Sequence, residues 1–256
     1  MSISAISSQN MYTSYQSLAS GKQINSAADN AAGLAIAEKL ESQSNGYDVG
    51  KRNAAASQDM VNVADGALGS ITDNLQRIRE LSIQASNDLY TSADKGAIQK
   101  EIDQLKQGIS DIANQTQFNT MNLLDGTMGD SNVATDANGS GMKVQMPNAT
   151  LQALGIEDYD VTKDFDISDI DKALEKVSSA RSNLGATSNR LDSVIAYNSL
   201  ASYNTTASQS RIEDLDYAKS ISEMKKNQLL ETFSIMMQKR KEDEEGNRVI
   251  KLFQMQ

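Results

Sequence analysis

The 256-residue chain contains no histidine, no cysteine and no tryptophan, and only one proline, Pro147. Without His or Cys it has no triad built on His, no Cys nucleophile, no disulfide and no zinc centre of the usual nitrogen/sulfur type. Only carboxylate-based metal or acid/base chemistry stays open. Aromatic residues are 5% and hydrophobic residues 39%, so bulky side chains for a thick globular core are scarce. Basic residues are also outnumbered: Lys+Arg 24 against Asp+Glu 34 leaves a net charge of -10. A nucleic-acid binder needs a basic face to replace phosphate counterions, and this balance argues against one. No apolar run is long enough to span a membrane. The opening Met1-Ser2-Ile3-Ser4-Ala5-Ile6 lacks the basic start and apolar stretch of a cleaved leader.

What the chain has is helical periodicity, which a near-absence of proline permits. A first long helix is expected from about Leu34 to Asn87, on the stripe Val61, Ala64, Leu68, Ile71, Leu75 and Ile78. At 1.5 Å per residue it approaches ~80 Å, which indicates a rod. A second is expected from Ser92, read as its N-cap, through Ile98, Ile102, Leu105, Ile109 and Ile112. In the third, Ile170, Val177, Leu184, Leu191, Asn198, Thr205 and Ile212 recur every seven residues, as in a coiled-coil seam. That seam turns polar from Asn198, which suggests a helix completed by neighbouring molecules. Between helices two and three, residues 115–165 are expected to form a small β-containing knob at one end of the rod. Asp130 to Gly141 reads as loop, Lys143 to Met146 as a strand, and Tyr159-Asp160-Val161 as a second strand. The fold class expected is therefore mostly α: an elongated antiparallel bundle of long helices with a β-containing knob.

Candidate chemistry is thin. Asp158, Asp160, Asp164, Asp166, Asp169 and Asp171 form the densest acidic cluster, but Lys163 and Asp169 stand where a calcium loop needs glycine and glutamate. Ser168 with Asp171 reads instead as a helix cap favoured by the helix dipole. No phosphate-binding glycine loop occurs. Gln76-Arg77-Ile78-Arg79-Glu80-Leu81 reads as the outer face beside the Leu75/Ile78 seam. Lys239-Arg240-Lys241-Glu242-Asp243-Glu244-Glu245 reads as a solvated helical face or link, with an interaction tail as the alternative. Nothing amounts to an active site, and no cofactor or metal is expected.

Taken in order, several phrases resemble one family. Ser20-Gly21-Lys22-Gln23-Ile24-Asn25-Ser26-Ala27-Ala28-Asp29-Asn30-Ala31-Ala32-Gly33 resembles the bend between the inner and outer core of bacterial flagellin. Asn74 through Ala85 is similar to the family's first outer-core helix, and Gln115-Thr116-Gln117-Phe118-Asn119 with Leu123-Leu124-Asp125-Gly126 to the turn after the second. Ala180-Arg181-Ser182-Asn183-Leu184-Gly185-Ala186 and Ser210-Arg211-Ile212-Glu213-Asp214-Leu215-Asp216-Tyr217-Ala218 are similar to the carboxyl-side signature. The matches cover most of residues 20 to 220.

The resemblance implies a subunit of the flagellar filament, exported unfolded, with no enzymatic activity. Its implied partners are other copies of itself, an export chaperone, the filament cap and the host Toll-like receptor that senses flagellin. It implies three regions: residues 1–33 as inner-core segment and bend, 34–214 as outer core, and 215–256 as carboxyl-terminal inner-core helix and charged tail. It also implies a receptor face on Arg77, Leu81 and Gln84, with Glu101 beside it, and signalling weaker than binding. The seam from Ile170 to Ile212 is expected to serve assembly. Two departures stand out: a short stretch before Ser20, and Leu229 to Met237 followed by charges where the family has a small-residue closing helix. They leave three alternatives open: a minor flagellin, a hook–filament junction protein, and a secreted non-polymerising signalling or adhesive protein. Thin seams at both ends predict that they are mobile in the monomer and order on assembly.

Overall fold

The computed structural model describes residues 3–254, and side-chain surroundings over residues 11–248; the reading of Met1 and Ser2 lies outside them. In chain order the elements are α1 (Ile3–Ser20), α2 (Ala27–Ala85), α3 (Ser92–Gln115), β1 (Gln117–Phe118), β2 (Met121–Asn122), β3 (Ser131–Ala134), β4 (Gly141–Val144), α4 (Leu151–Leu154), α5 (Ile167–Glu213) and α6 (Tyr217–Gln254). The mostly α reading with a small β region is correct. The chain divides into two compact units, one of Met1–Ser42 with Asn204–Gln256, the other Gln43–Tyr203.

The 43–203 unit holds most of the core. The α2 stripe Val61, Ala64, Leu68, Ile71, Leu75 and Ile78 is buried, and it continues through Leu81 and Ala85. It meets Ile98, Ile102 and Ile109 of α3 and Ile170, Ala173, Val177, Leu184 and Leu191 of α5 in one cluster. Each fully buried Leu or Ile contributes roughly 1.5–3 kcal/mol of transfer free energy, so the stripe is what makes α2 helical in this context.

Helix starts are set by polar side chains, two of them one or two residues from the expected place. Asn30 is extended (φ -162°, ψ 93°) and its Oδ1 accepts from Gly33 N at 2.9 Å, so the regular part of α2 begins just after it. For α3 the cap is Thr91, not Ser92. Thr91 Oγ1 accepts from Asp94 N while Asp94 Oδ2 accepts from Thr91 N at 2.9 Å, a reciprocal capping box. At α5, Asp166 does the work assigned to Ser168 and Asp171. It accepts from Ser168 N at 2.8 Å and from Ser168 Oγ at 2.6 Å, while Asp171 accepts from Arg79 Nε at 2.7 Å.

The β region departs most from expectation. Asp130 to Gly141, read as loop, supplies β3 and part of β4. The two pair antiparallel from Ser131↔Val144 to Ala134↔Gly141. Val144 and Met142 point into the core, and Val133 packs on it. Four-residue strands are too short for alternation to announce them. Tyr159-Asp160-Val161, read as a strand, is a turn. Asp160 Oδ1 accepts from Thr162 N and Oγ1, and Val161 N donates to Gln99 Oε1 at 2.8 Å rather than to a ladder. β1 and β2 form a tight hairpin whose central residues, Asn119 and Thr120, both take positive φ (48° and 65°), as a primed two-residue turn demands.

The β3–β4 hairpin sits at the end of this unit where α2 enters and α5 leaves. Gly46 and Gly50, one helical turn apart, let its backbone approach α2. A Cβ on Gly50 would lie 2.4 Å from Thr135 O, and one on Gly46 2.8 Å from Ala137 Cα. Two amides tie it down: Asn53 Nδ2 donates to Ala134 O at 2.9 Å, and buried Asn198 Nδ2 to Thr135 O at 2.7 Å. From there the chain returns along α3, where Lys106 Nζ donates to Tyr159 O at 3.2 Å. Residues 115–165 thus carry the expected small β region as two antiparallel hairpins, joined by segments that cover the long helices.

In the other unit, α1 packs against α6. Tyr217 Oη donates to Leu18 O at 3.3 Å and Gln228 Nε2 to Tyr15 Oη at 3.2 Å.

Candidate functional site

Asp160, Asp166, Asp169 and Asp171 of the acidic cluster are engaged in local structure. Asp160 is held at a pKa of about 2, first by the Thr162 hydroxyl and then by Lys163, which lies 2.9 Å away. The Ser168 hydroxyl, then its N–H, lowers the Asp166 pKa, and Asp169 pairs with Lys172 at 2.9 Å. Among the described residues no group of three or more such side chains is placed to hold a metal ion. Among them, too, no helix is long and apolar enough to cross a membrane.

The proposed receptor face divides. Arg77, Gln84 and Glu101 are exposed. Arg77 donates to Glu101 Oε1 through Nε (3.0 Å) and Nη2 (2.8 Å), and through Nη1 to Glu80 at 3.1 Å. Glu101, then Glu80, raises the Arg77 pKa. Gln84 Nε2 donates to Tyr90 Oη at 3.0 Å. Leu81 does not join them. It is 2% exposed and belongs to the core, so the apolar anchor expected there is turned inward. The signal was in the sequence, because Ile78 plus three reaches Leu81 on the buried stripe.

The heptad seam of α5 is likewise internal. Ile170, Val177, Leu184 and Leu191 are at most 2% exposed and lie in the core cluster, and Asn198 is buried with its amide on Thr135 O. Thr205 and Ile212, in the other unit, are half-buried. The assembly role expected of this seam is therefore corrected for Ile170, Val177, Leu184, Leu191 and Asn198, which are buried within the subunit. Its first five residues close the subunit on itself and have no surface left to offer. The polar turn at Asn198 has a local cause, since a hairpin carbonyl needs a donor there. What α5 does expose is Tyr197, Leu200 and Tyr203.

A feature sequence reasoning missed joins the two bends that flank the inner helices. Lys22 and Asp214 form an isolated antiparallel bridge; Gln23 N donates to Glu213 O at 2.7 Å and Leu215 N to Gly21 O at 2.9 Å. Within this clasp Lys22 Nζ forms a close ion pair with Glu213, whose side chain is only 9% exposed. Gln209 Nε2 supplies a second donor at 3.0 Å. The Lys22 ammonium lowers the Glu213 pKa, and Glu213 raises that of Lys22. Residues 191 apart carry no spacing signal.

The surface richest in exposed apolar side chains is on α6. Leu229, Leu230, Phe233, Met236 and Met237 are each more than half exposed, and their steps of one and three put them within one helical face. Helices that expose such a face are ordinarily covered by a partner.

Comparison with known proteins agrees with this layout. The model of the bacterial flagellin N-terminal helical region matches residues 1–128, and that of the C-terminal helical region matches residues 167–246. A flagellin of Halalkalibacterium halodurans is 38% identical over 229 residues, covering 87% of this chain and 84% of that protein. A flagellin of Bacillus subtilis is 37% identical over 262 residues, covering 87% and 86%. The crystal structure of Bacillus cereus flagellin superposes with a TM-score of 0.52 at 30% identity, over 57% of this chain and 88% of that one. With both terminal models matched and these relatives covered over most of their length, the chain belongs to the bacterial flagellin family.

Proposed function

We propose that the chain is a structural subunit of the extracellular flagellar filament, polymerising through the faces its terminal helices leave open. One observation carries the reading. The 43–203 unit buries its own seams, whereas α6 leaves Leu229, Leu230, Phe233, Met236 and Met237 in water. Burying such a face on identical neighbours supplies the driving force for a polymer. Export chaperone and filament cap are the further partners this role requires, and the same exposed face supports a monomer whose ends gain order on assembly. Electron microscopy of purified protein seeded with filament fragments tests the proposal. Filament growth is expected; a protein that stays monomeric at all concentrations and salts is instead a secreted, non-polymerising relative.

A finer reading concerns the host Toll-like receptor for flagellin. Arg77, Gln84 and Glu101 form an exposed polar face, and the guanidinium is already oriented by Glu101 and Glu80. A pre-set Arg of this kind suits a directional hydrogen-bonding interface. The Leu81 anchor drops out of the face. An Arg77→Ala protein is expected to lose about tenfold or more in affinity for the receptor ectodomain; unchanged binding removes the assignment.

A further inference from the structure

Methionine carries all the sulfur in this chain, which has 11 Met and no cysteine. Among the described residues the two most exposed methionines are neighbours on α6: Met236 is 52% and Met237 58% exposed, with Met121 next at 44%. Met60 and Met142 are buried, at 5% and 7%. The pair stands inside the apolar face of α6. At 100° per residue, Met236, Leu229, Phe233, Met237 and Leu230 follow one another across an arc of about 120°. Leucine and phenylalanine are inert to a two-electron oxidant, whereas a thioether in water is not. With no thiol to react first, these two sulfurs are the most accessible targets for a peroxide among the described residues.

We infer that Met236 and Met237 form a reversible oxidation site that gates assembly: hydrogen peroxide converts them to sulfoxides, and the oxidised subunit no longer adds to a filament. This deepens the filament reading and rests on it. In each step a sulfur lone pair attacks one peroxide oxygen. The S–O bond forms as the O–O bond breaks, sulfur gives up two electrons, and the departing hydroxide takes the proton of the transferred OH and leaves as water. The product is a polar side chain with a strong hydrogen-bond acceptor. In the free subunit that acceptor stays in water. Covered by a neighbour it loses its water, and Leu229, Leu230 and Phe233 beside it offer no donor. The cost therefore falls on the polymer and not on the fold, because neither side chain belongs to the buried core. Covering the face also hides the sulfurs, so the gate acts on free subunits and spares the finished filament. Reduction of the sulfoxides reopens it.

The full-length protein is treated with dilute hydrogen peroxide, free or already polymerised. Sulfoxides are located by peptide mass spectrometry, and seeded elongation is followed by sedimentation and electron microscopy. In the free protein Met236 and Met237 are expected to oxidise about tenfold faster than Met60 and Met142, and in filaments about tenfold slower than when free. The critical concentration of the oxidised protein is expected to rise about tenfold or more. Treatment with the two methionine sulfoxide reductases, one for each epimer, with dithiothreitol as reductant, is expected to return it to the untreated value. Two variants are each read against their own untreated value. Met236→Leu with Met237→Leu is expected to lose the response to peroxide, and Met121→Leu to keep it. If the leucine pair itself prevents elongation, repair of the parent decides. A parent oxidised at both positions that elongates like the untreated protein overturns the gate and leaves the filament reading standing. So does a repaired parent that still fails to elongate, a Met121→Leu protein that no longer responds, or a filament whose Met236 and Met237 oxidise as fast as in the free chain. An untreated parent that forms no filament overturns the filament reading and the gate with it.

Discussion

Replacing Gly50 by alanine probes the tightest junction in the 43–203 unit. The new Cβ would lie 2.4 Å from Thr135 O, 2.8 Å from Thr135 C and 3.1 Å from Asn198 Nδ2. Ordinary contact requires about 1 Å more against the carbonyl. The hairpin must therefore lift from α2 by roughly that amount. The same carbonyl accepts from Asn198 Nδ2 at 2.7 Å, and Asn198 is 1% exposed. Lifting the hairpin stretches this bond and leaves a buried amide without its acceptor, a loss of about 1–3 kcal/mol. Overpacking itself costs about 1–3 kcal/mol. Against these stands a gain of up to about 1 kcal/mol, because Ala favours a helix interior over Gly. The net expectation is destabilisation by about 1–5 kcal/mol, or a fall in Tm on the order of 2–20 °C for a unit of this size. Gly66 and Gly69, in the same helix with nothing within 4 Å of where a Cβ would stand, are the controls. Either one changed to alanine is expected to gain up to about 1 kcal/mol. Thermal unfolding followed by circular dichroism, with amide exchange at the β3–β4 hairpin as the local readout, measures all three. A Gly50→Ala protein that melts together with the Gly66→Ala protein, hairpin protection intact, refutes the reasoning.

Asn198→Leu removes the donor to Thr135 O and is expected to destabilise the 43–203 unit by about 1–3 kcal/mol in chemical denaturation; a more stable variant contradicts the assigned role. Leu81→Ala is expected to cost about 2–5 kcal/mol as a core truncation, and a Tm equal to the parent's would show that Leu81 faces solvent. The clasp should respond to acid. With its folded-state pKa lowered by Lys22, Glu213 contributes stability that is full above its unfolded value near 4.5 and is lost as pH falls through the lower folded value. Lys22, with its pKa raised by Glu213, contributes stability that is full below its unfolded value near 10.5 and is lost as pH rises through the higher folded value. Exchange at the Gln23 and Leu215 amides, corrected for the intrinsic pH dependence, should therefore be slowest between those limits; Glu213→Gln should flatten its acid side, and an unchanged acid limb speaks against the pair.

The sequence alone determined the long helices and their buried stripes. Val61 to Ile78 and Ile98 to Ile109 repeat every three or four residues for many turns, and a local period is all a helix needs to declare its inner face. The ordered phrases from Ser20 to Ala218 determined the family in the same local way, since each is contiguous. Tertiary structure decided what lies between distant segments. Thr91 and Asp166 took the caps from Ser92 and Ser168, because a cap depends on which side chain the turning backbone brings to the free N–H groups. The β3–β4 hairpin exists because Gly46, Gly50, Asn53 and Asn198 hold it from two helices, and four-residue strands are not stable by themselves. Whether a heptad seam serves a neighbour or the subunit itself was equally undecidable from spacing: Ile170 to Asn198 fit both, and only packing showed them closed over by α2, α3 and the hairpin. Lys22 and Glu213 meet across 191 residues of chain, and periodicity reaches only a few turns.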